Sequence, residues 1–175
     1  MGLQKRFGAQ HEAGAVQEAR RLGAVLASHD DTTAEHVETS AKNGVGFAEF
    51  PTTVEAAEAC RSQGIAVMMG APNLIRGGSH SGNVAAETLA KGDLLDIVSS
   101  DYVPSALLLS AFRLAEMWDD LPRAIATVTS NPAQAVRLED RGVLQTGLRG
   151  DVLRVRNIGQ TPLIRGVWSQ GNKIG

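Results

Sequence analysis

A histidine and two carboxylates follow directly on a short apolar stretch at residues 24–27, as His29, Asp30 and Asp31. Imidazole and carboxylate side chains bind divalent metal ions and transfer protons. In an α/β protein, a buried strand that ends in such residues delivers them to the edge where catalytic groups gather. The structural alternative is a surface turn in which Asp and Thr residues only cap a helix.

Two further acidic residues end apolar stretches in the same way. Residues 29–35 (HDDTTAE) align with residues 49–55 (EFPTTVE), so Glu49 takes the position that His29 holds one repeat of about 20 residues earlier. Asp101 follows a later stretch. His, Glu and Asp at equivalent strand ends suit a divalent ion such as Zn²⁺, Mn²⁺ or Ni²⁺. Asp101 also suits a general base, although an Asp that caps the next helix has the same pattern.

A glycine-rich segment at residues 77–83 (GGSHSGN) is the second candidate for chemistry. Its glycine N–H groups could turn toward an anion, its serines add hydroxyl donors, and Arg76 could bind a phosphate with two hydrogen bonds. His80 suits a metal ligand or a proton donor, and a flexible loop is the structural alternative. The segment is not a P-loop, because no Gly-Lys-Ser/Thr follows. The predicted anion-binding residues are Arg76, Gly77, Gly78, Ser79, Ser81, Asn83 and Asp30.

Alternating strands and helices are needed to position these residues, and the apolar periodicity predicts them. Continuous apolar strands between helices indicate a parallel sheet covered on both faces, and units this short favour a (β/α) barrel over a doubly wound sheet. Capping boxes are predicted at residues 32–35 and 52–55. The predicted strands are 24–28, 45–49, 65–69 and 94–99; the predicted helices are 11–22, 33–42, 52–63, 83–91, 104–118, 121–129 and 131–138, before short extended pieces of a small β layer.

The composition limits the classes of partner. With 175 residues and a net charge of −2, the chain has no basic surface that indicates nucleic acid. No apolar run is long enough to span a membrane, and the N-terminus lacks the apolar core of a signal peptide. The single cysteine, Cys60, excludes an internal disulfide and suits a reducing compartment. We therefore expect a cytoplasmic protein without nucleic acid or membrane as partner, in which a local cluster of donors could still hold a small anionic substrate.

Several long segments resemble a known superfamily. Residues 129–152, with Asp101, resemble the C-terminal half of the amidohydrolase superfamily. The segments LASHDDTTAEHV, AEFPTT, MGAPNLIRGGSHSGNVAAETLA and SSDYVPSALL resemble, more narrowly, the family of alpha-D-ribose 1-methylphosphonate 5-triphosphate diphosphatases of the carbon–phosphorus lyase pathway. The resemblance covers nearly the whole chain. It implies an α/β fold in which residues 1–138 form four βα units of a distorted (β/α)₈ barrel and residues 139–175 form strands of a small β-sandwich.

The resemblance also implies a reaction and the residues that carry it. Members of the family hydrolyse the 5-triphosphate of a ribosyl phosphonate and release pyrophosphate. By analogy within the superfamily, two divalent metal ions would hold the attacking hydroxide, with Zn, Mn and Ni left open. His29 matches the fifth-strand metal ligand and Asp101 the eighth-strand aspartate. Most relatives have a sixth-strand histidine where this chain has Glu49, so Glu49 is a ligand or the second metal is bound differently, with help from His80.

Other parts of the superfamily pattern have no counterpart in this sequence. There is no His-x-His of a first strand and no bridging Lys or Glu of a fourth strand, and the other histidines, His11 and His36, fall on predicted helices away from the site. We therefore expect a C-terminal half that alone binds metal poorly and is inactive, and that self-associates or associates with the missing N-terminal half. Two alternatives stay open: another amidohydrolase, such as a deaminase or cyclic amidase, and a non-catalytic remnant that serves binding or assembly.

Overall fold

The computed structural model describes residues 2–79, 82–159 and 161–175. Strands and helices alternate in the first half of the chain, short helices follow, and a second sheet lies at the end. The elements are α1 (Gly2–Leu22), β1 (Leu26–His29), α2 (Ala34–Asn43), β2 (Val45–Glu49), α3 (Val54–Gln63), β3 (Ala66–Gly70), α4 (Ala71–Arg76), α5 (Ala86–Lys91), β4 (Ile97–Ser99), α6 (Ala106–Trp118), α7 (Leu121–Ala126), α8 (Ser130–Ala135), β5 (Val152–Ile158), β6 (Thr161–Ser169) and β7 (Asn172–Lys173).

The first sheet has the order β1-β2-β3-β4, and all its neighbouring strands are parallel. The predicted alternation of strands and helices is thus confirmed. Among the described residues the sheet ends at β1 on one side and at β4 on the other, so they form a four-stranded parallel sheet and not a closed barrel. Parallel strands place all their carboxyl ends at one edge, which is where the candidate residues come together.

The two faces of this sheet are packed differently. One face packs against the helices, and Ala48, Val67, Met69 and Val98 on the strands are buried there. Leu74, Leu89 and Leu114 on the helices complete this core. The other face carries a smaller cluster of Phe47, Met68 and Ile97, which Val25 and Ala135 partly cover. The side chain of residue 49 points to this second face, because it lies two positions after Phe47 in the same strand.

The N-caps of the two helices behind β1 and β2 lie one residue later than the sequence predicts. Thr33 caps α2 by accepting a hydrogen bond from the His36 N–H (3.3 Å), and Thr53 caps α3 by accepting one from the Ala56 N–H (3.0 Å). The predicted capping boxes, which begin at the first threonine of each pair, are therefore wrong. Both threonines of a pair have the same capping chemistry, and the sequence does not distinguish them.

The segment after β3 differs most from the prediction. A short helix, α4, occupies the start of the predicted loop, and the next helix, α5, begins at Ala86 instead of residue 83. Pro72 in the first turn of α4 and Gly77 in the left-handed conformation at its end bound this six-residue helix. A helix of fewer than two turns is too short to show helical periodicity in the sequence, and this is why α4 was not predicted.

The last described part of the chain is an antiparallel sheet of the order β5-β6-β7. This confirms the small β layer. The proposed division at residues 138 and 139 falls between α8 and β5 and stays a prediction. None of the described helices is both long and apolar enough to cross a membrane.

Candidate active site

His29 and Glu49 lie side by side at the carboxyl edge of the sheet. They are register partners on the parallel strands β1 and β2, so their side chains point to the same face. The Asp30 N–H donates to the Glu49 carbonyl oxygen over 3.0 Å, which continues the pairing one residue past the strand. The two positions that the sequence repeat aligns, 29 and 49, are therefore paired on adjacent strands of the sheet.

The side chain of His29 contacts both residues that follow the two strands. Its Nδ1 lies 3.1 Å from Asp30 Oδ2, and its ring meets the Phe50 ring edge-on with the centroids 5.2 Å apart. Asp30 and Phe50 occupy equivalent positions in the repeat and share a left-handed backbone, with φ of 61° and 56°. A bulky residue rarely adopts this conformation, so Phe50 was not recognisable as a site residue from the sequence.

Asp31 is turned away from this edge. It is 8% exposed, and its Oδ2 accepts a hydrogen bond from the Ser40 hydroxyl over 3.3 Å. It lies in the layer between sheet and helices near Cys60. There burial first, and the charges of Asp31 and Asp96 second, raise the pKa of the Cys60 thiol to about 11. Asp31 therefore stabilises the helical layer, and only Asp30 of the pair reaches the site.

The carboxylate of Asp101 lies against the end of the neighbouring strand, β3. It follows β4 with φ of 49°, and its carboxylate lies so close to Gly70 that a Cβ added there would be 2.8 Å from Oδ2. Gly70 is the last residue of β3 and has φ of −77°, which any residue adopts. The glycine is therefore needed for space and not for its backbone conformation. The sequence gives no signal for this contact, because the two residues are far apart in the chain.

A cleft of about 210 Å³ lies between the ends of the strands and the segment after α4. It contains six predicted site residues: Asp30, Arg76, Gly78, Ser79, Asn83 and Asp101. The other lining residues, which the sequence did not indicate, are Phe50, Pro51, Met69, Gly70, Pro72, Asn73, Val84 and Tyr102. His29, Glu49 and Gly77 are not among the residues that line the cleft.

Arg76 supplies the positive charge of this cleft. It is exposed, and its guanidinium lies 5.7 Å from the centre of the Tyr102 ring, within the range of a cation–π interaction. Asp30 and Asp101 line the same cleft. The cleft thus brings a planar cation, which can hold a phosphoryl group through two hydrogen bonds, next to carboxylates that can accept a proton.

The predicted cradle of glycine N–H groups has a different role in the structure. The N–H groups of Gly77 and Gly78 both donate to the Asn73 carbonyl oxygen, over 3.1 and 3.2 Å, and so end helix α4. The first N–H of α5, from Ala86, donates to Asn73 Oδ1 over 2.9 Å. The N–H groups of Gly77, Gly78 and Ala86 are therefore already used within the protein.

The metal assignment stays a prediction. His80 and Ser81 lie outside the described residues. Among the residues that are described, no group of three or more His, Cys, Asp or Glu side chains is close enough to hold a metal ion. The neighbouring pair of His29 and Glu49 offers one imidazole and one carboxylate, whereas a closed or catalytic zinc site takes at least three protein ligands. The pair alone therefore does not make up such a site.

The two remaining histidines lie where the sequence puts them, on helices away from the cleft. His11 is on α1, exposed, with its ring 6.1 Å from that of Phe7. His36 is in the first turn of α2, where its Nδ1 accepts a hydrogen bond from the Thr32 N–H over 3.3 Å. Both are surface residues.

Comparison with known proteins gives one close relative by sequence. Over 163 residues, 91% of its length, the chain is 52% identical to alpha-D-ribose 1-methylphosphonate 5-triphosphate diphosphatase of Escherichia coli (strain K12). The chain spans 43% of the length of that enzyme. No protein-family model matches the chain.

Solved structures share the fold at low identity. A prolidase complexed with N-methylphosphonate-L-proline is 17% identical, with a TM-score of 0.67, over 91% of this chain and 47% of that one. An amidohydrolase from Thermotoga maritima is 19% identical, with a TM-score of 0.65, over 86% of this chain and 43% of that one. At this identity the likeness concerns the arrangement of strands and helices. In both cases the chain corresponds to less than half of the other protein.

Proposed function

We propose that the chain is the C-terminal half of an alpha-D-ribose 1-methylphosphonate 5-triphosphate diphosphatase, because it is 52% identical to such an enzyme over 91% of its own length and spans 43% of that enzyme. Its four parallel strands would then be four of the eight units of a (β/α)₈ barrel, and its last three strands would belong to a small β-sandwich. The likeness to longer amidohydrolase structures supports this reading. The complete enzyme hydrolyses the 5-triphosphate of the ribosyl phosphonate and works in the cytoplasm.

The cleft that contains both Arg76 and Asp101 is the observation that carries the proposal. A triphosphate chain needs a cation and hydrogen-bond donors, whereas the neutral ring of a deaminase or cyclic amidase substrate does not. The side chains of Arg76, Ser79 and Asn83 would hold the phosphoryl oxygens on one side of the cleft. Asp101 lines the same cleft, and its carboxylate would take the proton of the attacking water.

The reaction breaks the anhydride bond between the first and second phosphoryl groups. Water adds its oxygen to phosphorus and loses one proton, which Asp101 accepts, and pyrophosphate leaves with the bridging oxygen. Divalent metal, two ions in the complete enzyme, would stabilise the negative charge and lower the pKa of the attacking water. We assign His29, Glu49, Asp101 and His80 to the metal ligands, completed by residues that this chain does not contain. Zn, Mn and Ni all suit such ligands.

A chimaera tests the proposal. In it, this chain replaces the matching segment of the Escherichia coli enzyme, and pyrophosphate and ammonia release are measured with the ribosyl triphosphate substrate. We expect pyrophosphate, no ammonia, and a loss of rate of about 10²-fold to 10⁴-fold in the Asp101→Asn variant of the chimaera. A folded chimaera that releases no pyrophosphate, or whose rate does not depend on Asp101, would refute the proposal and favour a non-catalytic role.

A further inference from the structure

Asn73 contacts both ends of the segment that forms one wall of the cleft. This wall segment, residues 77–79 and 82–85 among those that the structure describes, lies between α4 and α5 and supplies Gly78, Ser79, Asn83 and Val84 to the cleft. At its start, the Asn73 carbonyl oxygen accepts hydrogen bonds from the N–H groups of residues 77 and 78. At its far end, Asn73 Oδ1 accepts the N–H of Ala86. Asn73 therefore accepts hydrogen bonds at both ends of the wall segment.

The helix that carries Asn73 is firmly held. Leu74, the next residue in α4, is fully buried in the main core. The carbonyl oxygen of Ile75 accepts a hydrogen bond from Arg113 Nη1 of α6 over 3.2 Å, and Arg113 Nη2 lies 3.8 Å from Glu87 of α5. The same arginine thus links α4 with α5. Asn73 is attached to a rigid support, which a residue that positions a binding segment requires.

The bond to Ala86 also determines which way the amide group faces. An N–H donor must meet the amide oxygen, so Oδ1 is used at Ala86 and the Nδ2 group is the other end of the side chain. Among the described residues, no protein acceptor is recorded for Nδ2, and Asn73 lines the cleft. Arg76, three positions along the same helix, lines the same cleft.

We propose that Asn73 has two roles in the phosphate-binding cleft: Oδ1 holds the wall segment in place, and Nδ2 donates directly to a phosphoryl oxygen of the substrate. This inference rests on the proposed function and adds to it a residue that recognises the phosphate chain. It also explains why an amide is found here. A carboxylate could hold Ala86 but would repel the anion, and an aliphatic residue could do neither.

The test separates the two roles with two substitutions. Asn73→Asp keeps an acceptor for the Ala86 N–H but removes the donors and adds a negative charge, whereas Asn73→Ala removes both. Asn157→Asp is the matched control, because it makes the same change of charge at an exposed residue of β5, outside the cleft. Nuclear magnetic resonance on the ¹⁵N-labelled 175-residue chain measures hydrogen exchange of the Ala86 amide and, by titration, the affinity for inorganic tripolyphosphate.

We expect Asn73→Asp to keep the slow exchange of the Ala86 amide and to weaken tripolyphosphate binding at least about tenfold. Asn73→Ala should lose both the slow exchange and the binding, and Asn157→Asp should retain both. Wild-type affinity in Asn73→Asp, or fast exchange at Ala86 in that variant, would overturn the inference. If the wild-type chain does not bind tripolyphosphate, both the inference about Asn73 and the assignment of the cleft as a phosphate site are refuted. Pyrophosphate release by the chimaera tests the proposed function separately.

Discussion

The carboxylate of Asp101 lies directly over the α-carbon of Gly70 on the neighbouring strand. A methyl group at that α-carbon would be 2.8 Å from Asp101 Oδ2 and 3.3 Å from its Cβ, closer than atoms of this kind approach one another. The end of β3 thus leaves room for the carboxylate that follows β4. The position of the proposed base therefore depends on the absence of a side chain at the end of β3, the strand next to β2.

We predict that Gly70→Ala displaces the Asp101 carboxylate and lowers kcat of the chimaera by about 10-fold to 10²-fold, because small misplacements of a catalytic group have effects of this size. The backbone at residue 70 suits alanine, so the thermal midpoint of unfolding should change little. Gly14→Ala is the control, since a Cβ there meets nothing within 4 Å. Unchanged kcat in Gly70→Ala would show that the position of Asp101 is unimportant.

Glu55 connects the second βα unit to the first. Its Oε1 accepts a hydrogen bond from the Ala34 N–H, the first residue of α2, over 3.1 Å. We predict that Glu55→Ala lowers the free energy of unfolding by about 1 kcal/mol, the usual value of one such bond. Urea denaturation measures the change. Glu58→Ala, on the same helix and exposed, is the matched control, and an equal loss in both variants would count against the link.

Cys60 should make stability depend on pH in the alkaline range. Its pKa is raised from 9.0 to about 11, chiefly by burial, so the unfolded chain loses the thiol proton at a lower pH than the folded one. The folded state is therefore favoured by the full amount below pH 9 and loses this contribution as the pH rises to about 11. Urea denaturation from pH 8 to 11 measures it. Cys60→Ala should abolish that part of the decline; an identical decline would contradict the assignment.

Arg76 should dominate anion binding by the chain. We predict that Arg76→Ala weakens tripolyphosphate binding by about 10-fold to 10²-fold, the range for a lost charge-assisted hydrogen bond. Arg76→Lys should recover part of it, because lysine keeps the charge and loses the planar donor pair. Arg156→Ala in β5 removes the same charge from an exposed site elsewhere. Calorimetric titration at low ionic strength gives the three affinities, and equal losses in Arg76→Ala and Arg156→Ala would indicate non-specific attraction.

The sequence predicted the features that depend on local pattern and repeat. The alignment that placed Glu49 at the position of His29 is confirmed by their register on adjacent strands. The parallel sheet and the small β layer followed from the alternation of apolar and polar residues. Such features are encoded by neighbours in the chain, and the sequence therefore contains the information that determines them.

Features that depend on contacts across the fold were missed. Asp31 looked equivalent to Asp30, but backbone direction after the strand turns it toward Ser40. Gly70 and Asn73 gave no signal, because their roles come from Asp101 and from Ala86, which lie farther along the chain. The glycine N–H groups were predicted to bind an anion, and a helix end that was not predicted uses them instead. These outcomes depend on tertiary packing, which no local pattern reports.

Amide chemical shifts of the 175-residue chain test the position of the proposed phosphate site most directly. On titration with tripolyphosphate, we expect saturable shifts at Arg76, Gly78, Asn83 and Asp101, which line one cleft. Saturable shifts in β5 and β6 alone, where several arginines are exposed, or no saturable shifts at all, would contradict it.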